Sequence, residues 1–66
     1  MNLINHLKTH RQAAGLTQAA LADAVTVSRK TINTVENGVF IPSTVLALKL
    51  AAALETSVES LFELPE

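Results

Sequence analysis

The sequence predicts an all-α fold of five short helices, and three observations carry that prediction. Side chains suited to capping a helix stand at Asn2, Thr17, Ser28, Ser43 and Ser57. The apolar residues that follow each of them recur at spacings of three and four instead of alternating. Gly15 and the pair Asn37-Gly38 stand where a helix ends in the left-handed conformation. Sixty-six residues make one small domain, 1–66. A chain this short buries only about 60% of its unfolded surface, so its core is marginal and association with a second copy would strengthen it.

The first helix is expected from about Leu3 to Ala14, capped by Asn2, with Leu3, Ile4, Leu7 and Ala14 as its apolar stripe and Gly15 as its stop. The second follows Thr17 and places Leu21, Ala22 and Val25 on one face; the third follows Ser28 and does the same with Ile32 and Val35. The two caps lie eleven residues apart, which leaves Val25-Thr26-Val27 as a three-residue turn between two short helices. Ser43 caps a fourth helix to about Leu54, whose core stripe is Leu46, Ala47, Leu50, Ala51 and Leu54. Ser57 caps a last helix to about Phe62, with Glu59 near its positive end and Val58, Leu61 and Phe62 closing the core.

The face of the third helix opposite Ile32 and Val35 carries Arg29, Lys30, Asn33 and Thr34, with Asn37 one turn on. The stripe holds two cations, three hydrogen-bonding side chains and no acid. Such a helix fits the major groove of B-DNA, where Arg or Lys donates to guanine, Asn pairs with adenine and a Thr methyl touches thymine. The alternative is an ordinary solvated helix face, because basic stripes are common on surfaces.

Leu16-Thr17-Gln18, Leu21-Ala22, Val27-Ser28-Arg29, Thr31-Ile32, Glu36-Asn37-Gly38, Pro42-Ser43, Ala47-Leu48-Lys49, Ala53-Leu54 and Leu61-Phe62 decide between these. From about Leu3 to Phe62 the chain resembles the Cro/CI-type (XRE) helix-turn-helix transcription factors. The resemblance implies a compact, five-helix, lambda-repressor-like domain whose second and third helices form the helix-turn-helix. It implies base reading by Arg29, Lys30, Asn33 and Thr34, and phosphate contacts from Gln18, Ser28, Thr31 and Asn37 that position the helix without specifying sequence. It also implies a structural ion pair between Arg11 and Glu36, which removes Arg11 from the candidate DNA contacts.

Three features depart from the family's pattern. Thr26 and Glu55 stand where glycine is usual, so either the turns are reshaped or each residue is held at positive φ at a cost on the order of 1–2 kcal/mol. Val39-Phe40-Ile41-Pro42 replaces a stretch the family usually fills with Lys, Arg or other polar residues. Val45 and Ala52 fall where the family tends to carry charge. Val39, Phe40, Ile41 and Val45 are expected to form an exposed apolar patch for a second copy or a protein partner; the alternative is an enlarged core with Phe40 folded over the fourth helix.

The formal net charge of −1 conceals a polarised chain. Residues 1–50 hold all five cations against Asp23 and Glu36, a balance of +3, while Glu55, Glu59, Glu63 and Glu66 give the remainder −4. A monomer with so few cations binds phosphates weakly, and two copies on two half-sites compensate. His6 and His10 lie four apart, but a zinc site needs at least three protein ligands and no Cys or third His exists, so no metal or other cofactor is expected. No nucleophile–base pair, Gly-rich phosphate loop or pair of catalytic carboxylates supports an enzyme.

No cysteine ties the fold to an oxidising compartment, no apolar run approaches membrane-spanning length and no leader opens the chain. A cytoplasmic location is expected. The tail after Phe62 is too short for an effector domain, so none is expected. The expected function is that of a homodimeric regulator of transcription, a repressor, reading an inverted repeat in double-stranded DNA. The competing expectation is an antitoxin-like protein-interaction module that uses the Val39–Ile41 loop.

Overall fold

Four hydroxyls start four of the helices in the computed structural model, which describes residues 3–66. Thr17, Ser28, Ser43 and Ser57 each accept a hydrogen bond from the backbone N–H three residues on, at 3.0, 3.2, 3.1 and 3.1 Å. Each satisfies a donor that the first helical turn would otherwise leave open, at about 1 kcal/mol per cap. The helices so started are α2 (Gln18–Val25), α3 (Arg29–Glu36), α4 (Thr44–Ala53) and α5 (Val58–Leu61).

The first helix departs from expectation. α1 spans Leu7–Ala13, and the residues before it form β1 (Ile4–Asn5), which pairs antiparallel with β2 (Phe62–Glu63) in the register Ile4 with Glu63 and Asn5 with Phe62. Asn5 is the cause. Its Oδ1 accepts from the Leu7 N–H at 3.0 Å, its Nδ2 donates to the Val35 carbonyl at 2.7 Å, and the His6 N–H beside it donates to the Leu61 carbonyl at 2.8 Å. A short amide side chain that bonds nearby backbone competes with helix, and here it delays the helix by one turn. The expected cap, Asn2, lies outside the described residues. Leu7 is in the core and Leu3 packs at its edge, whereas Ile4 and Ala14 are exposed. β2 likewise takes Phe62 out of α5: its φ of −135° and ψ of 134° are extended.

Four helices end in the same way. The residue after the last helical turn takes a positive φ: 74° at Gly15, 61° at Thr26, 73° at Gly38 and 53° at Glu55. Its N–H and that of the next residue return to carbonyls in the last turn, as in Thr26 to Asp23 with Val27 to Ala22, and Glu55 to Ala52 with Thr56 to Ala51. The glycine-less turns are therefore not reshaped, and both non-glycine residues sit in the left-handed region.

The core is drawn from every helix. Leu7, Leu21, Ile32, Val35, Leu50 and Leu61 have no accessible surface, and Ala22, Val25, Leu46, Ala47, Ala51 and Phe62 complete the cluster, with Leu54 at its margin. Each such Leu or Ile contributes about 1.5–3 kcal/mol by leaving water. α2 packs against both α3 and α4, α1 against α3, and α4 against α5, so α3 is held by two neighbours while its outer face stays open. Among the described residues no helix is long and apolar enough to cross a membrane.

Candidate nucleic-acid interface

α3 presents two faces with different chemistry. Ile32 and Val35 point into the core, while Arg29, Lys30 and Asn33 are exposed and Thr34 is half-buried. Neither Arg29 nor Lys30 is in an ion pair among the described residues, so their charges are free to meet an anion. Ser28 caps this helix, and its Oγ lies 2.9 Å from the Thr31 hydroxyl. The Thr34 hydroxyl donates to the Thr31 carbonyl at 2.9 Å, which leaves Thr34 a methyl and an acceptor to offer. Asn37 is exposed just past the helix and donates through Nδ2 to Asn33 Oδ1 at 3.2 Å, so the Asn33 amide keeps both of its own donors for a ligand.

The open face is concave on both sides of Lys30. A depression of about 380 Å³ is lined by Gln18, Arg29, Lys30 and Asn33, where the start of α2 meets α3. A second, of about 390 Å³, is lined by Ser28, Lys30, Thr31, Thr34, Val39 and Phe40. The structure thus brings together the four residues expected to read bases and three of those expected to hold phosphates, Gln18, Ser28 and Thr31, on one continuous surface, with Asn37 at its edge.

Glu36 fixes the orientation of that surface. Arg11 donates to it through Nε at 2.6 Å and Nη2 at 3.2 Å, and Arg11 Nη1 donates to the Leu16 carbonyl at 2.9 Å. The two side chains are 11% and 2% exposed. The bond to Glu36 raises the Arg11 pKa above its ordinary value, against burial, which lowers it, so the guanidinium stays charged. Gln18 Nε2 also donates to Glu36 Oε1, at 3.2 Å. α1 and the start of α2 therefore converge on one carboxylate at the end of α3, and the α1–α2 loop is tied to the same guanidinium. The links from Gln18 to Glu36 and from Asn5 to Val35 carried no signal in the sequence, since each joins residues distant along the chain.

The apolar residues after α3 are exposed: Val39 by 78%, Phe40 by 47%, Ile41 by 61% and Val45 by 62%. Phe40 is outside the core cluster and borders α3 on one side, and on the other a depression shared with Leu3, Asn5 and Ile41. Ile41 faces a separate apolar groove of about 500 Å³ with Leu3, Leu48, Val58, Phe62 and Leu64. Leu48 and Leu64, both exposed, were not anticipated. Leu48 had a signal, because Val45, Leu48 and Ala52 repeat at spacings of three and four on the outer side of α4. His6, considered as a zinc ligand, lies with Nε2 2.7 Å from Glu63 Oε1.

The chain has relatives of the same kind. A family model described as helix-turn-helix matches residues 7–61. The chain is similar to an uncharacterized HTH-type transcriptional regulator of Methanothermobacter thermautotrophicus, 43% identical over 61 residues that cover 91% of this chain and 88% of the relative. It is also similar to the uncharacterized HTH-type transcriptional regulator YgzD of Bacillus subtilis, 37% identical over 62 residues and 94% of each chain. Among solved structures it resembles the restriction-modification controller protein C.AhdI from Aeromonas hydrophila, with a TM-score of 0.78, 37% identity and 82% of both chains covered. It resembles the clp gene regulator ClgR from Corynebacterium glutamicum with the same TM-score of 0.78, at 31% identity, over 82% of this chain and 57% of that one.

Proposed function

The chain belongs to the Cro/CI-type (XRE) helix-turn-helix family of DNA-binding transcriptional regulators, and from that premise we propose that it is a cytoplasmic repressor that binds an inverted-repeat operator as a homodimer. α3 enters the major groove; Arg29, Lys30, Asn33 and Thr34 meet base edges while Gln18, Ser28, Thr31 and Asn37 hold phosphates. Repression follows from occupying promoter DNA. The observation that carries the reading is the outer face of α3: two cations in no ion pair among the described residues, and an exposed amide, stand on a helix anchored through Glu36.

Two observations support the dimer. Besides the buried Arg11 the chain has only Lys8, Arg29, Lys30 and Lys49 as cations, and phosphate neutralisation supplies most non-specific affinity. α4 is apolar on both sides, with Leu46 and Leu50 inside and Val45 and Leu48 exposed outside, and exposed clusters of this kind mark protein contacts. Pairing through Val45, Leu48 and Ile41 would bury them and set two α3 helices for half-sites about 34–36 Å apart.

The test is selection of bound duplexes from a random library by the purified protein at low and near-physiological salt. An inverted repeat that survives the higher salt is expected. Salt-sensitive binding with no consensus would overturn sequence reading. The exposure of Val39, Phe40, Ile41 and Val45 favours a second reading, an antitoxin-like module that holds another protein. That reading requires Phe40→Ala to abolish the protein complex while Arg29→Ala leaves it intact.

A further inference from the structure

The two depressions that meet at Lys30 differ in chemistry. On one side Gln18, Arg29 and Asn33 offer hydrogen bonds. On the other the wall is Val39 and Phe40, with Thr31 and Thr34 as its floor, and the Thr34 hydroxyl is already committed to the Thr31 carbonyl. This apolar wall is not a loose loop. The N–H groups of Val39 and Phe40 both donate to the Thr34 carbonyl, at 3.0 and 3.2 Å, so the wall is fixed to the reading helix itself.

We propose that this apolar depression receives the 5-methyl group of a pyrimidine, thymine in ordinary DNA, next to the base that Lys30 reads. The inference rests on the DNA-reading function proposed above. A duplex close enough to meet Lys30 also meets Val39 and Phe40, because Lys30 lines both depressions. Ser28 and Thr31 offer a phosphate its hydrogen bonds at one edge of the depression, whereas the Val39 and Phe40 side chains offer none, so the wall itself suits an apolar group. The only apolar group displayed by the base edges of the major groove is the thymine methyl, and Phe and Thr side chains are suitable contacts for it. The polar depression then distinguishes purines by hydrogen bonds, while the apolar one distinguishes thymine from cytosine by a methyl. Burying one such carbon is equivalent to about a fourfold gain in affinity.

The experiment uses the full chain and the duplex recovered by selection, with each thymine replaced in turn by deoxyuridine, which removes the methyl and nothing else. At one position per half-site binding should weaken by about fourfold. Replacing that base pair by one containing cytosine, and then 5-methylcytosine, should recover a similar factor in the second step, whichever base carries the methyl. In Phe40→Ala, and separately in Val39→Ala, the ratio of thymine to uracil affinities should fall towards one, with helical circular dichroism establishing that each variant is folded. Silence of every deoxyuridine or of the 5-methylcytosine step, or a ratio that persists in both variants, overturns the pocket. Failure to select any duplex is a different result: it removes the DNA-reading function, and this inference with it.

Discussion

Glu36, at the end of the reading helix, accepts from two nitrogens of Arg11 across the interface between α1 and α3, at 2.6 and 3.2 Å. The pair is almost dry, at 11% and 2% exposed, so its partners depend on one another. Removing Arg11 alone should cost about 3–5 kcal/mol, because it strands a buried carboxylate, whereas Arg11→Met with Glu36→Leu should cost markedly less. Denaturant unfolding of both singles and the double measures this. A double variant whose loss equals the sum of the two single losses would show that the two side chains act independently.

The left-handed turns give a prediction of opposite sign. Thr26→Gly and Glu55→Gly each relieve a side chain at positive φ and should each stabilise the domain by about 1 kcal/mol, after the greater freedom of glycine in the unfolded chain is allowed for. In a domain of this size that is a rise of about 4–8 °C in Tm for each, nearly additive because the turns are separate. Thermal melts that fall for either variant would mean that the side chain makes a contact worth more than its strain.

Base and phosphate contacts separate by their sequence dependence. Arg29→Ala and Lys30→Ala should each lose about 1–3 kcal/mol at particular base pairs and leave other duplexes little changed. Gln18→Ala should weaken all duplexes alike, by about 1.5–3 kcal/mol if its amide meets a phosphate. Anisotropy titrations with matched and scrambled operators read the difference.

The outer face of α4 is tested by association alone. Leu48→Asp places a charge among Val45, Ile41 and Leu64 without touching the core, since Leu48 is 58% exposed. Sedimentation should give a monomer, and the dependence of Tm on protein concentration should disappear. An unchanged dimer would move the interface elsewhere.

Much of this molecule was legible because its rules are local. Thr17, Ser28, Ser43 and Ser57 each act within three residues, and the buried faces of α2, α3 and α4 follow from spacings inside one helix. The start of α1 was not legible for the same reason. Leu3, Ile4 and Leu7 have helical spacing, but the partner that draws Ile4 and Asn5 into a ladder lies at the other end of the sequence. Leu48 was obscured by its surroundings, since α4 is apolar on both sides and period alone does not say which side is covered. The pairing of Arg11 with Glu36 was suggested only by family resemblance; the third member of that cluster, Gln18, had no pattern to announce it.

Asn5→Ala isolates the nonlocal part. It removes the bonds to Leu7 N–H and the Val35 carbonyl, and should cost about 1–3 kcal/mol. Amide exchange should quicken first at residues 4–7 and 61–63, with the centre of α4 unaffected.

That ladder makes the folded chain a ring. His6 and Glu63, 57 positions apart, help close it, a longer span than the Asn5–Val35 and Arg11–Glu36 links, so this closure carries the largest loss of chain entropy. The seam is therefore the first place at which heating favours release. Asn5 stitches it to the Val35 carbonyl near the end of α3, so a seam that opens also lets go of one end of the helix proposed to face DNA. Under the proposed function, affinity for DNA and closure of the ring should thus weaken together as temperature rises, before the core itself melts.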